Sequence, residues 1–194
     1  MGLTIHYSGK LKSASLLSEL IDEIKDIAKT NEWKYFVFED KFPKDSFSKE
    51  IDKKNLYGIM LNPPGSEPVC FSFLNNGKMC GILNHNHLQI DPSINGIMLY
   101  TISTKTQFST PEIHQKIILL LDYVKTKYLK KFECYDEGKF WETRDKETLV
   151  EIFERNERLI NSFSSAIEMI PKNEGENLED YLIRMAEIIN SKEK

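Results

Sequence analysis

The 194-residue chain reads as an α+β protein: a mostly antiparallel sheet covered on one face by two helices, with a C-terminal helical pair. Three observations carry that reading. Strand-like runs are joined by tight turn signals, above all Asn75-Asn76-Gly77, and hairpins make antiparallel ladders. Two helical stripes, at residues 16–28 and 113–128, lie among those runs and must bury one face against them. Beyond Asp145 the pattern turns wholly helical. The order of elements admits a ferredoxin-like topology. It divides the chain into a sheet domain, residues 1–143, and a helical extension, residues 144–194, packed on the same domain.

Leu3-Thr4-Ile5-His6-Tyr7 alternates as a half-buried strand does, with Leu3, Ile5 and Tyr7 on one face, and Gly9 ends or bends it. Ser13 or Ser15 supplies an N-cap for a helix whose Leu16, Leu17, Leu20, Ile21, Ile24, Ile27 and Ala28 share a face; Asn31 ends it. Residues 33–38, rich in aromatics, make a second strand. Residues 39–55 are a polar connection. Residues 56–61 and 68–73 are strands separated by Asn62-Pro63-Pro64-Gly65, where two prolines cannot donate to a ladder. After the Asn-Gly turn, residues 78–83 are the return strand, 84–96 a polar loop and 97–103 another strand. Thr110-Pro111-Glu112 opens a helix with a capping hydroxyl, a proline at the first position and an acid in the first turn. Its buried face is Ile113, Ile117, Leu120, Leu121, Val124 and Tyr128, and residues 132–135 return as an edge strand. Asp145 caps a long helix that carries Leu149, Ile152, Phe153, Ile160, Phe163, Ile167 and Ile170 up to Pro171. A last helix carries Leu178, Tyr181, Leu182, Met185 and Ile188.

Apolar residues at 40% suffice for a core, so wholesale disorder is excluded. A net charge of −4 lacks the basic footprint that phosphate neutralisation needs, which argues against nucleic acid as a partner. The densest basic run, Lys125-Thr-Lys127-Tyr-Leu-Lys130-Lys131, falls at the end of a helix, where cations complement the dipole. Three cysteines, Cys70, Cys80 and Cys134, form no CxxC pair; they read as reduced thiols in a cytoplasmic protein. No signal peptide precedes the first strand, and no apolar run is long enough for a membrane span.

His114 falls one turn inside a helix, where the dipole favours neutral imidazole suited to general-base work; otherwise it is a boundary residue covering the core. Glu133, Asp136, Glu137 and Glu142 crowd an acidic-aromatic turn around Trp141. Paired carboxylates there can do acid/base chemistry, or simply solvate a turn that Trp141 caps. Thr106 and Gln107, beyond the strand that ends at Ser103, and His6 and Tyr7, on the first strand, are further ligand-binding candidates. His85-Asn-His87 resembles a metal-ligand pair on an extended segment, but no third ligand stands at zinc spacing. No Gly-rich phosphate loop or nucleophile elbow appears, so no metal and no cofactor is implied.

Leu3-Thr-Ile-His-Tyr-Ser-Gly9, Thr104-Lys-Thr-Gln107 and Asp136-Glu-Gly-Lys-Phe-Trp-Glu-Thr143 resemble segments of a family of uncharacterised bacterial proteins. The similarity extends through Tyr57-Gly-Ile, Pro63-Pro64 and Leu74-Asn-Asn-Gly-Lys-Met79. It implies a complete bacterial intracellular protein and supplies no activity. The expectation is therefore a non-enzymatic protein-binding module, such as an adaptor or an immunity-type protein, able to homo-oligomerise through its C-terminal helices. The alternative is a hydrolase using His114 with the carboxylates of residues 133–142.

Overall fold

The computed structural model describes residues 2–90 and 97–192. By internal contacts the chain forms two compact units, Met1–Phe153 and Glu154–Lys194.

The first unit is α+β with antiparallel ladders. Strand β1 (Thr4–Leu11) is central in a three-stranded sheet, with β5 (Ile102–Lys105) on one side and β6 (Leu129–Asp136) on the other. A second sheet sets β3 (Tyr57–Asn62) between β2 (Lys34–Val37) and β4 (Val69–Phe73). The strands therefore do not form the single ferredoxin-like platform that their order admits. Leu3, Ile5 and Tyr7 share one core with Ile59, Leu61, Phe71 and Phe73, so the two sheets are buried together. Helix α1 (Leu17–Thr30) lies against β2 and β3, whereas α4 (Pro111–Tyr128) lies against β6. Each large apolar side chain of this core contributes roughly 1.5–3 kcal/mol by burial.

β1 continues through Gly9 rather than ending there. Its register with β6 shifts between Ser8, opposite Glu133, and Lys10, opposite Lys130. The extra residue lies in β6, and Lys131 takes it up with φ +53. Such a bulge kinks one strand without stopping the ladder. The serine cap before α1 is not formed. Ser13 and Ser15 bond each other at 2.8 Å across a 3-10 turn, Ala14–Leu16, and no side chain caps the helix. Its C-terminus is as the sequence indicates, with the Asn31 N–H donating to the Ile27 carbonyl at 3.1 Å.

The largest departure follows the Asn75–Gly77 turn. The expected return strand is reduced to two bridges, Phe73 to Met79 and Lys10 to Lys78, and residues Ile82–Ile90 form helix α2. His85 and Leu88 are its buried residues, an i, i+3 pair that fits a helix. Short apolar runs look alike as buried strand or buried helix, which is why period alone misassigned this one. The polar loop expected over residues 84–96 is helical to Ile90, and the rest of it lies outside the described residues. Residues Ile97–Tyr100 are helix α3, and strand begins only at Ile102.

The start of α4 is as the sequence dictates: Thr110 is extended, its hydroxyl accepts from the Ile113 N–H, and Pro111 opens the helix. The basic run divides, however. Lys125 and Lys127 lie in the last turn of α4, while Lys130 and Lys131 belong to β6. A short helix α5 (Phe140–Thr143) and the long α6 (Lys146–Met169) follow. Asp145 caps α6, its carboxylate accepting from the Glu147 N–H at 2.9 Å and the Thr148 hydroxyl at 2.7 Å. Leu149 and Phe153 are buried in the first unit's core, so the start of α6 belongs to that unit, later than the 143/144 boundary.

In the second unit α7 (Leu178–Lys192) follows a turn at Glu174-Gly175, where the Glu176 N–H donates to the Asn173 carbonyl at 3.2 Å. Ile170, Tyr181 and Met185 are buried together, and the Tyr181 hydroxyl donates to the Ile170 carbonyl at 2.8 Å. Among the described residues no helix is long and apolar enough to cross a membrane.

Candidate functional site

The polar groups that the sequence singles out converge in part, beneath the surface. Thr106 follows β5, His114 stands in the first turn of α4, and Asp136 ends β6; all three are fully buried. The Thr106 hydroxyl lies 2.8 Å from His114 Nδ1, and His114 Nε2 lies 3.1 Å from Asp136 Oδ2. Asp136 also accepts from the Gly138 N–H at 2.7 Å and the Trp141 N–H at 3.0 Å. Thr106 reaches back to β1's lead-in, its N–H donating to the Leu3 carbonyl at 2.7 Å.

The carboxylate accepts only, so His114 Nε2 carries a proton. The Thr106 hydroxyl then either donates to Nδ1 of a neutral ring, or accepts from Nδ1 of a cation while donating to Leu3 at 3.2 Å. Burial alone would raise the Asp136 carboxyl. The His114 hydrogen bond and charge, with the Trp141 and Gly138 N–H groups, outweigh burial and hold it below the usual carboxylate range.

Gly138 is a member of this cluster that the sequence reading did not single out. A Cβ built there would come within 2.9 Å of the imidazole Cε1 and of Leu149 Cδ1. The Asp136-Glu137-Gly138 turn was the available signal, since only glycine lets backbone lie this close to a ring. Phe153 closes the other side, edge-on to the imidazole with centroids 5.7 Å apart.

The remaining candidates separate. Glu142, exposed, reaches the Asp136 N–H at 3.4 Å, and Glu137 accepts from the Thr4 N–H at 2.8 Å. Trp141 is half-buried over Phe132, with the Lys125 ammonium 4.9 Å from its centroid and the Arg144 guanidinium at 5.0 Å. Gln107 Oε1 is buried without a partner beside Gly2. Tyr7 is no surface residue: its buried hydroxyl takes the Cys70 N–H at 2.9 Å and lies 3.4 Å from Thr104 Oγ1, tying β1 and β5 to β4.

His6 and Glu133 instead meet on the outward face of the first sheet. They edge a shallow hollow of about 180 Å³ with Ser8, Thr101 and Tyr135. His6 Nδ1 is 2.8 Å from the Ser103 hydroxyl on the paired strand, and its ring stacks on Tyr135 at 6.1 Å. Ser103 was legible only through the register, which places it opposite His6.

Helix α2 parts the two histidines that an extended segment would align. His85 is buried and His87 is exposed, because residues i and i+2 diverge around a helix. Among the described residues no group of three His, Cys, Asp or Glu is placed to hold a metal ion. Burial raises the thiols of Cys70 to about 11, Cys80 to about 12 and Cys134 to about 12. No protein-family model matches the chain, and neither do any curated protein or any solved structure.

Proposed function

We propose that the chain is a non-enzymatic interaction protein whose C-terminal helices dock a second copy of the same chain. The observation that carries this reading is the apolar surface of the second unit. Leu159, Ile160, Phe163, Ile167 and Met169 on α6, and Leu178, Leu182 and Ile183 on α7, are each 37–74% exposed. The unit's buried cluster, by contrast, is Ile170, Tyr181 and Met185. Two helices with so small a core need a further surface to be stable. Asn156, Ile160, Phe163 and Ile167 on α6 follow steps of four, three and four, the spacing of helices that pack along their length. A two-fold axis sets one such stripe against its equal and buries both at once.

Sedimentation equilibrium tests this reading. The full chain is expected to dimerise in the micromolar range, and Ile160→Glu with Ile167→Glu to hold it monomeric while its circular dichroism is kept. A wild-type chain that stays monomeric at about 100 μM, well beyond a micromolar Kd, refutes the self-partner.

The hydrolase reading draws support from the His114–Asp136 pair at 3.1 Å. Against it, neither residue nor Thr106 is reachable by substrate, all being fully buried. A general base must come within hydrogen-bond reach of the proton it takes. Residence in the cytoplasm fits three unpaired thiols, and kinship with the uncharacterised bacterial proteins belongs to the same proposal.

A further inference from the structure

The bulged end of the first sheet gathers lysines in an otherwise acidic chain. Lys10 of β1 is paired directly with Lys130 of β6, and on its other side it bridges to Lys78. Three lysines thus stand abreast on three adjacent segments whose backbones are about 4.8 Å apart. The left-handed Lys131 adds a fourth beside them. Among the described residues no carboxylate comes within 4.0 Å of any of the four ammonium groups, whereas Lys25, Lys29, Lys125 and Lys127 all have such partners. Glu133, opposite Ser8, is the closest acid along β6.

Like charges directly opposite in a ladder are destabilising, and a non-glycine residue with positive φ adds strain. Burial, then the charges of Lys130, Lys78 and Lys131, pushes the Lys10 ammonium below its usual value. The row is also partly fixed in place. The Lys10 ammonium lies 5.0 Å from the Phe47 ring centroid and that of Lys78 lies 4.1 Å from the Tyr100 centroid. Lys130 donates to the Lys12 carbonyl at 3.4 Å. A neutral stacking role would not require four cations at one place, and a bulge beside them is a feature that commonly re-aims side chains at binding sites.

We infer that Lys10, Lys78, Lys130 and Lys131 form a binding site for a ligand carrying two or three adjacent phosphate groups. Its spaced negative charges would lie along the row and relieve the repulsion that the ladder imposes. Lysine suits this task as a compact point charge that needs no planar partner. The site lies in the first unit and is independent of any pairing through the C-terminal helices.

Isothermal titration at about 50 mM salt, where surface electrostatics are strong, would use sodium tripolyphosphate and, separately, ATP. Lys10→Gln with Lys130→Gln is expected to weaken both by about tenfold or more, as charge-dominated contacts predict. Lys25→Gln with Lys29→Gln removes the same charge from α1 and should change neither. Should Lys10→Gln disturb the packing on Phe47, Lys78→Gln with Lys130→Gln, both at exposed positions, reads the same loss. Equal affinity for the two ligands assigns recognition to the phosphate chain, and tighter ATP binding assigns it to a nucleotide. The inference is overturned if neither ligand binds the wild-type chain, if the α1 variant weakens binding equally, or if only a single-stranded oligonucleotide binds.

Discussion

At Asp136 two carboxylate oxygens accept three hydrogen bonds, from the Gly138 N–H, the Trp141 N–H and His114 Nε2, with no solvent exposure. An amide at this position presents one accepting oxygen, so Asp136→Asn must aim its NH2 at a backbone or ring donor. Leaving a buried donor without its acceptor costs about 3 kcal/mol in such settings. The pH dependence follows from the direction of the carboxyl's shift. Folded Asp136 titrates below its unfolded value, so its bonds stabilise the protein fully above about pH 4. That contribution is lost as pH falls through the folded value. Urea unfolding at pH 7 and at pH 3 is the measurement. The wild-type chain should lose stability between the two, and Asp136→Asn should be weaker at pH 7 with a smaller acid loss. Equal acid sensitivity in both proteins would place the titrating group elsewhere.

Strand β3 carries the clearest constraint among the elements. Gly58 has φ +123, and a Cβ there would come within 2.1 Å of the Phe71 carbonyl oxygen on the paired strand. Gly58→Ala therefore combines a strained backbone with a steric conflict inside a ladder, a loss of about 3 kcal/mol. Guanidinium unfolding reads it directly, and a loss below about 1 kcal/mol would show that the ladder yields without strain. The sequence reveals this residue only as a glycine inside a strand pattern, and the same holds more widely. Elements with strong periodicity or a cap were legible: α1 through its apolar stripe, α4 through Thr110 and Pro111, α6 through Asp145. The segment after Asn76-Gly77 was not, because its apolar spacing fits strand and helix equally and only tertiary context chooses α2. The division into two sheets was equally hidden, since strand partners are set by burial across distant segments. For the candidate site, His114, Thr106 and Asp136 stood out by residue type, but their depth did not. A histidine at the border of an apolar stripe gives no sign that β6 and its turn will close over it.

The two sheets of the first unit are tied by the Tyr7 phenol as well as by main-chain bonds from β1 to residues 77–79, which makes their stabilities interdependent. Tyr7 of β1 receives the Cys70 N–H of β4 at 2.9 Å and stands near Thr104 of β5, at 3.4 Å, deep in a common core. Tyr7→Phe keeps the ring and strands the Cys70 N–H, at a cost of about 1–3 kcal/mol. Thiol labelling can read this on both sheets in the intact chain, because Cys70 lies on β4 and Cys134 on β6. Burial raises Cys70 to about 11 and Cys134 to about 12, the latter helped by the Asp136 and Glu142 charges. Little thiolate then exists near pH 8, so buried Cys70 and half-buried Cys134 react slowly in the folded chain and opening of the structure speeds both. If the sheets open together, Tyr7→Phe raises the labelling rates of both cysteines by the same factor, about tenfold for each 1.4 kcal/mol lost. Mass spectrometry after timed iodoacetamide exposure measures the two sites separately. Acceleration at Cys70 with none at Cys134 would mean that the second sheet opens alone, and that the shared core does not bind the two ladders into one cooperative unit.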